Sequence, residues 1–383
     1  MIGTSRITIQ RESQFMGLLQ EGQKIRGKWE VERFLGEGAF AEVYRVRHRF
    51  FGRQALKILK LTGITKEEIE DVLSEAVLLS RLGHPNLIRV FDADTTETSR
   101  GICGFFTMEY VAGGSLEQFW RSHGARFVPV ETVVEIMRQC CRGLAIAHGE
   151  QPPIIHRDIK PQNILVGQDA TGLRVRVSDF GLAKHVNPLT FHATTRGTRS
   201  FKAPEALLDY QSDSCAGDVW ALGSTMYLLF TDRLPYAESS EADTFDMDRF
   251  KLPLIPPSRL NVNVDPLLDQ IVSRALSVSP KDRYPSANEF LNDLLKWTLP
   301  PAKARRAVKS TGSSTESKLA LGPHSLPNEG EARKMAEYAL KMSRQHRQLS
   351  EAADMMEEAF NRWPDLREEM EYWVKLWRKG MSV

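Results

Sequence analysis

The sequence predicts an α+β fold, with a small sheet lobe first, a larger helical lobe after it and a helical appendage at the end. Two observations carry this prediction. Up to about residue 111 apolar residues alternate in short runs separated by turn residues, and beyond Gly113-Gly114 they recur every three or four positions in long segments. The chain has 383 residues, of which 42% are hydrophobic and 26% charged, so it has the composition of a folded globular protein and room for more than one domain.

Taken in order, Val31, Phe34, Leu35, Val43, Tyr44 and Val46 flank Gly36 and Gly38. They predict a hairpin from about Trp29, then a strand over Gln54–Leu59. Ile69, Val72, Leu73, Ala76, Leu79 and Leu82 stand at helical intervals, so a helix is expected over Thr65–Leu82. Strands are expected at Leu87–Phe91 and Gly104–Val111, and long helices at Val130–His148 and Cys215–Phe230. The last of these is apolar over Val219–Phe230, too short a run for a bilayer. It reads as a buried core helix, and no membrane span is expected.

A formal net charge of +2 excludes bulk electrostatics as the grip on nucleic acid or an anionic membrane, so no nucleic-acid partner is expected. Cys103, Cys140, Cys141 and Cys215 form no C-x-x-C, and no histidine cluster has zinc-ligand spacing. A reducing, cytoplasmic setting is expected. Arg6, Arg11 and Glu12 ahead of the short Phe15–Leu19 patch do not read as a secretory signal.

The residues that carry chemistry come in a fixed order. Gly36-Glu37-Gly38-Ala39-Phe40-Ala41 joins strand to strand, whereas a dinucleotide fingerprint would open a helix; a glycine turn of this kind can offer backbone N–H groups to phosphates. Lys57 lies within an apolar strand, where an ammonium calls for a carboxylate, and Glu75 in the following helix is the candidate. Downstream stand His156-Arg157-Asp158-Ile159-Lys160-Pro161-Gln162-Asn163, then Ser178-Asp179-Phe180-Gly181, then Ala203-Pro204-Glu205.

On these strings the sequence resembles the eukaryotic-type Ser/Thr protein kinases, and in particular soluble bacterial members, over residues 29–299. The resemblance implies a bilobal kinase fold that uses ATP and Mg²⁺ on protein substrates. It makes Asp158 the acceptor of the substrate proton and gives Lys160 to the γ-phosphate. Lys57, held by Glu75, takes the α/β-phosphates, and Asn163 and Asp179 are the metal ligands. It gives Gly36 and Gly38 to the phosphates, Val43, Ala55 and Leu165 to the adenine, Met108 to the gatekeeper position, and Glu109-Tyr110-Val111 to the hinge. Asp218 would brace the catalytic loop and Arg283 would pair with Glu205. The resemblance also implies, from Lys160, a preference for Ser/Thr over Tyr acceptors.

Between Asp179 and Glu205 the chain is rich in hydroxyls. With Arg157 beside Asp158 to receive a phosphate, activating phosphorylation is expected at Thr194 or Thr195, and secondarily at Thr190; Thr198 reads as structural. Ala41 replaces the third glycine of the loop and Gln54 a usual valine, and neither removes a catalytic group. The competing reading is an inert kinase-fold scaffold acting through its tail. A small-molecule kinase is disfavoured by the Gly197-Thr198…Ala203-Pro204-Glu205 segment.

The expected organisation is an N-terminal arm at 1–28 and a kinase domain at 29–299, divided near 111/112. A basic Pro/Ser-rich linker comes next at 300–330, then a helical tail at 331–380. Apolar residues in that tail predict three amphipathic helices, and Ala352, Ala359 and Pro364 have the spacing of a tetratricopeptide repeat's second helix. A protein partner or self-association is expected through this segment.

Overall fold

The computed structural model describes residues 17–38, 41–60, 73, 80–124, 127–169, 172–180, 200–209, 212–236, 247–299, 329–343 and 349–363, and in the last segment 366, 370, 373–375 and 377. The described residues fall into two compact units. One holds the chain up to residue 83 and residues 88–110; the other holds residues 84–87, 111–180 and the described residues from 200 onward.

The first unit is a six-stranded antiparallel sheet in the order β1-β2-β3-β4-β6-β5. Its strands are β1 (Lys24–Ile25), β2 (Trp29–Glu37), β3 (Ala41–His48), β4 (Gly52–Leu59), β5 (Val90–Thr98) and β6 (Gly101–Glu109). The alternation read in the sequence becomes a two-faced sheet. Trp29, Val31, Tyr44, Val46, Leu56, Ile58, Cys103 and Phe105 form one core, joined by Ile25, Leu18 and Leu19. The segment before β1, whose sequence shows no firm pattern, is anchored by polar bonds as well. The Leu18 amide donates to the buried Glu42 carboxylate (2.8 Å) and the Leu19 amide to the Tyr44 hydroxyl (3.2 Å).

The expected strand at Leu87–Phe91 is displaced: β5 begins at Val90 and runs to Thr98, and Leu87 makes only an isolated bridge to Val177. Asp92, Asp94 and the threonines at 95, 96 and 98 make that strand polar, which hid it, while its cross-strand bonds to β6 hold it. The strand expected at Gly104–Val111 is β6, which starts at Gly101 and stops at Glu109. Of the helix expected over Thr65–Leu82, all but residues 73 and 80–82 lies outside the described residues.

The second unit is mainly helical: α1 (Leu116–Ser122), α2 (Val130–His148), α3 (Pro204–Leu208), α4 (Cys215–Thr231), α5 (Pro257–Leu260), α6 (Pro266–Ala275) and α7 (Ala287–Lys296). A two-stranded ribbon, β7 (Ile164–Asp169) with β8 (Gly172–Val177), lies among them. Ser214 caps α4, its hydroxyl accepting the Gly217 amide (3.1 Å). The rest of α4 is buried nearly all round, as its apolar run predicts. Among the described residues no helix is long and apolar enough to cross a membrane.

Two further helices, α8 (Glu329–Met342) and α9 (Leu349–Arg362), share a separate apolar cluster with the described helical residues Leu366, Met370, Trp373, Val374 and Trp377. Every apolar position that predicted amphipathic helices in this segment, from Ala332 to Trp377, lies in that cluster or against it.

Candidate active site

Buried polar groups build the centre of the helical unit. Asp218, in the first turn of α4, is 2% exposed and accepts three hydrogen bonds. The His156 amide donates to Oδ2 (2.7 Å), the Arg157 amide to Oδ1 (2.9 Å) and His148 Nε2 to Oδ2 (3.1 Å). Burial pushes the Asp218 carboxyl up, but His148 and the loop amides outweigh it and hold the group below its ordinary range. Burial opposes a charged His148, whereas the Asp218 carboxylate favours one. The geometry is that of the singly protonated ring. His148 Nδ1 accepts the Ala287 amide at the start of α7 (3.2 Å), a bond that a second proton would break.

His156 is a neutral strut. Its Nε2 donates to the Ser178 carbonyl (2.9 Å), its Nδ1 accepts the Asp158 amide (3.2 Å), and burial lowers its pKa. Its ring packs on Phe180 with centroids 4.4 Å apart. The backbone on either side is strained, for Arg157 (φ 70°) and Asp179 (φ 61°) both lie in the left-handed region. Such conformations cost roughly 1–3 kcal/mol each and persist where surrounding bonds over-determine them.

That frame aims Asp158. Asn163, in the 3₁₀ turn Pro161–Asn163, donates from Nδ2 to the Asp158 carbonyl (2.8 Å) and to its Oδ2 (2.9 Å). Lys160 Nζ is 2.9 Å from the same Oδ2. A carboxylate, an ammonium and an amide thus meet within hydrogen-bond range. With Nδ2 committed to Asp158, the Asn163 Oδ1 is left as the oxygen that can face a cation. Ser178, next to Asp179, donates its hydroxyl (3.0 Å) and its amide (2.8 Å) to the Asn163 carbonyl. Carboxylate and amide oxygens are the donors a hard divalent cation takes, so Asp179 and Asn163 fit Mg²⁺.

Besides His148, two residues that the sequence did not mark complete the frame. Lys202 donates from Nζ to the Arg157 carbonyl (2.7 Å) and pairs with the half-buried Asp213 (3.5 Å). The strained Arg157 is therefore held at both ends, its N–H by Asp218 and its C=O by Lys202. Arg157 also faces Asp213, at 3.7 Å. Nothing in the sequence marked Lys202 beyond its position just before Ala203-Pro204-Glu205. Glu205 is met by Arg283 in a two-pronged ion pair (2.6 and 2.7 Å), as the resemblance implied, and the same guanidinium stacks over Trp220.

In the sheet unit, Lys57 lies on β4 between the buried Leu56 and Ile58, opposite Val43 on β3 and Phe106 on β6. Ala55 pairs with the buried Met108 in the same register. The turn bearing Gly36 and Gly38 is closed by the Gly38 amide donating to Ala41 (2.8 Å) and by Lys60, which donates to the Gly38 carbonyl (3.0 Å) and pairs with Glu37. The Glu109 amide donates to the Arg89 carbonyl (2.9 Å). In the helical unit, Leu165 lies on β7 and bridges to Ser115, and the Val111 carbonyl accepts from Gly114 (3.3 Å). Gly113 is obligatory there, since an added Cβ would come within 2.1 Å of the Val166 carbonyl oxygen. Glu75, Thr190, Thr194, Thr195 and Thr198 lie outside the described residues.

Lys57 thus stands in the sheet unit and the Asp158–Asn163 loop in the helical unit. The family model described as "Protein kinase domain" matches residues 29–297, well over half the chain, and the chain belongs to that family. Among curated relatives it is 30% identical over 315 residues to a probable serine/threonine-protein kinase of Clostridium perfringens, covering 80% of this chain and 43% of that protein. It is 34% identical over 288 residues to the serine/threonine-protein kinase pkn3 of Myxococcus xanthus, covering 71% and 50%. The chain thus spans about half or less of the length of these relatives. The crystal structure of the Mycobacterium tuberculosis PknI kinase domain superimposes with a TM-score of 0.53 at 29% identity, covering 73% of this chain and 99% of that one.

Proposed function

We propose that this chain is a protein serine/threonine kinase that transfers the γ-phosphoryl group of ATP to hydroxyls of protein substrates. The observation that carries the reading is the Asp158 carboxylate, fixed by Asn163 and paired with Lys160 on a loop gripped by Asp218. The names of the relatives support the Ser/Thr class.

The chemistry needs little from the protein beyond placement and charge. Asp158 takes the acceptor's hydroxyl proton as that oxygen bonds to the γ-phosphorus; the bond to the bridging oxygen breaks and ADP leaves with the electron pair. Lys160 offsets the charge on the transferring group. Lys57 holds the α/β-phosphates under the turn of Gly36 and Gly38, and Glu75 orients Lys57. Val43, Ala55 and Leu165 take the adenine, with Met108 as gatekeeper and the main chain of Glu109 and Val111 reading its edge. Asp179 and Asn163 would hold Mg²⁺, which when bound neutralises phosphate charge.

Activation proceeds by phosphorylation at Thr194 or Thr195, and secondarily at Thr190. Arg157 receives the phosphate, and Asp213 is its partner in this structure. We place the protein in the cytoplasm, with residues 331–380 as a partner-binding or self-associating segment. The four free cysteines, of which Cys103, Cys140 and Cys141 are buried, agree with a reducing compartment.

The test is transfer of radiolabel from ATP to the chain itself and to a generic Ser/Thr substrate, wild type beside Asp158→Asn. A fall of about 10²–10⁴-fold in the variant is expected. Equal background signals from both proteins in Mg²⁺ and in Mn²⁺ would establish the inert scaffold instead. Mass spectrometry of active enzyme with no phosphate between Thr190 and Ser200 would refute the activation step.

A further inference from the structure

The tail and the helical unit meet at one ion pair among the described residues. Lys375 Nζ is 3.0 Å from Asp232 Oδ2, and the two side chains are only 13% and 9% exposed. Asp232 follows α4 as its C-terminal cap in the left-handed region (φ 56°), and its other oxygen accepts the Trp120 Nε1–H of α1 at 2.5 Å. The Lys375 ammonium also lies 5.6 Å from the centroid of the Phe127 ring, just ahead of α2. A carboxylate, an indole donor already spent on that carboxylate, and an aromatic face make a slot suited to a lysine head group.

The tail presents its lysine outward. Trp373 and Trp377, four positions apart, pack in or against the tail's own apolar cluster, which puts them on one helical face. Lys375 stands two positions from each, about 200° around the helix and so on the other side. A lysine on that side would ordinarily be solvated. Here it is mostly covered, and Asp232 and Phe127, the groups that meet its ammonium, belong to the kinase domain.

We propose that the tail segment bearing Trp373, Lys375 and Trp377 docks in cis on the α1–α4 face of the helical unit, anchored by Lys375 in the slot formed by Asp232, Trp120 and Phe127. A buried pair is a sensitive anchor, because removing one partner strands the other charge away from water. A weak interface suffices, since a tether of a few dozen residues keeps the tail at an effective concentration of the order of millimolar. Docking does not depend on catalytic activity, so its failure would leave the kinase reading intact.

The test uses the full-length chain as wild type, Lys375→Glu, Asp232→Lys, the double exchange and Lys375→Arg. Small-angle scattering, molar mass in solution and amide hydrogen exchange over residues 116–130 are the readouts. Expected are a monomer with a larger radius of gyration and at least tenfold faster exchange in Lys375→Glu, partial recovery in the double exchange, because Trp120 loses its acceptor, and wild-type behaviour in Lys375→Arg. If Asp232→Lys does not fold, Lys375→Glu carries the test, because Lys375 is not a member of the tail's apolar cluster. Unchanged scattering and exchange in Lys375→Glu would overturn the anchor. A wild-type dimer that becomes monomeric in Lys375→Glu would overturn docking in cis and assign the slot to a second copy's tail.

Discussion

The two units hold their chemically important residues by different means. In the sheet unit Lys57, Val43, Ala55 and Met108 are placed by strand alternation and register, so their setting is repetitive and largely apolar. In the helical unit Asp158 is placed by a chain of buried polar bonds through Asn163, His156, Asp218, His148 and Lys202. Apolar packing is non-directional and tolerates small changes, whereas a buried hydrogen-bond frame loses a full desolvation cost when one member goes. Errors in the helical unit should therefore strike catalysis hardest, and errors in the sheet unit should appear first as stability.

The largest effect that sharpens this contrast is expected from Asp218→Asn. The amide keeps one acceptor oxygen and puts an NH2 donor in place of the other, so at least one loop N–H is left facing another donor. Unfolding free energy should fall by about 3 kcal/mol, with at least hundredfold loss of kcat, read by denaturant titration and peptide phosphorylation. If the variant unfolds no more easily and stays active, the polar frame does not position Asp158.

Lys202→Met should come next. Freeing the Arg157 carbonyl lets the peptide before Asp158 turn, and kcat should fall roughly tenfold to a hundredfold with KM for ATP little changed. Lys202→Arg should recover much of the rate. A matching rise in KM, or no recovery with arginine, would make Lys202 merely structural.

The pH dependence should carry the same mark. The Asp218 carboxyl lies below 3.8 when folded, so the unfolded chain binds its proton more readily. Its contribution to stability is complete above 3.8 and is lost as the pH falls through the lower folded value. Wild type should lose stability below about pH 4 more steeply than Asp218→Asn. Parallel acid limbs would show that Asp218 does not set the acid stability.

In the sheet unit Gly17→Ala should cost about 1–3 kcal/mol of stability, because the new Cβ would meet the Tyr44 hydroxyl at 2.4 Å. That oxygen cannot swing away freely, since it donates to the buried Glu42 (2.5 Å). Pairing the change with Tyr44→Phe should relieve part of the clash, and thermal unfolding of the three variants decides it. The smallest effect is expected at the tip between β3 and β4. Phe51 is 78% exposed, so Phe51→Ser should stay within about 0.5 kcal/mol of wild type.

Much of this was legible in the sequence for one reason: periodicity and short motifs are local. Val130–His148 is helical over the residues its spacing implied, and Cys215–Phe230 is the buried helix its apolar run required. Asp158 and Asn163, five positions apart, do bond to each other. Strand β5 was misplaced because its polar residues conceal a pairing that only its neighbour supplies. Lys202, Asp213 and His148 were missed because an isolated lysine, aspartate or histidine carries no local signal until the fold brings a carbonyl or a carboxylate to it.

The sequence by itself determined the class of fold, the order of the catalytic motifs and the apolar faces of the tail helices. Each depends on residues a few positions apart, where spacing alone sets which side chains share a face. Only the tertiary structure decided which buried groups Asp218 receives, that Lys202 holds the far end of the Arg157 peptide, and that Lys375 meets Asp232. Those are pairings across long stretches of chain. Their strength comes from exclusion of water, which no residue in the linear sequence possesses until the chain has folded.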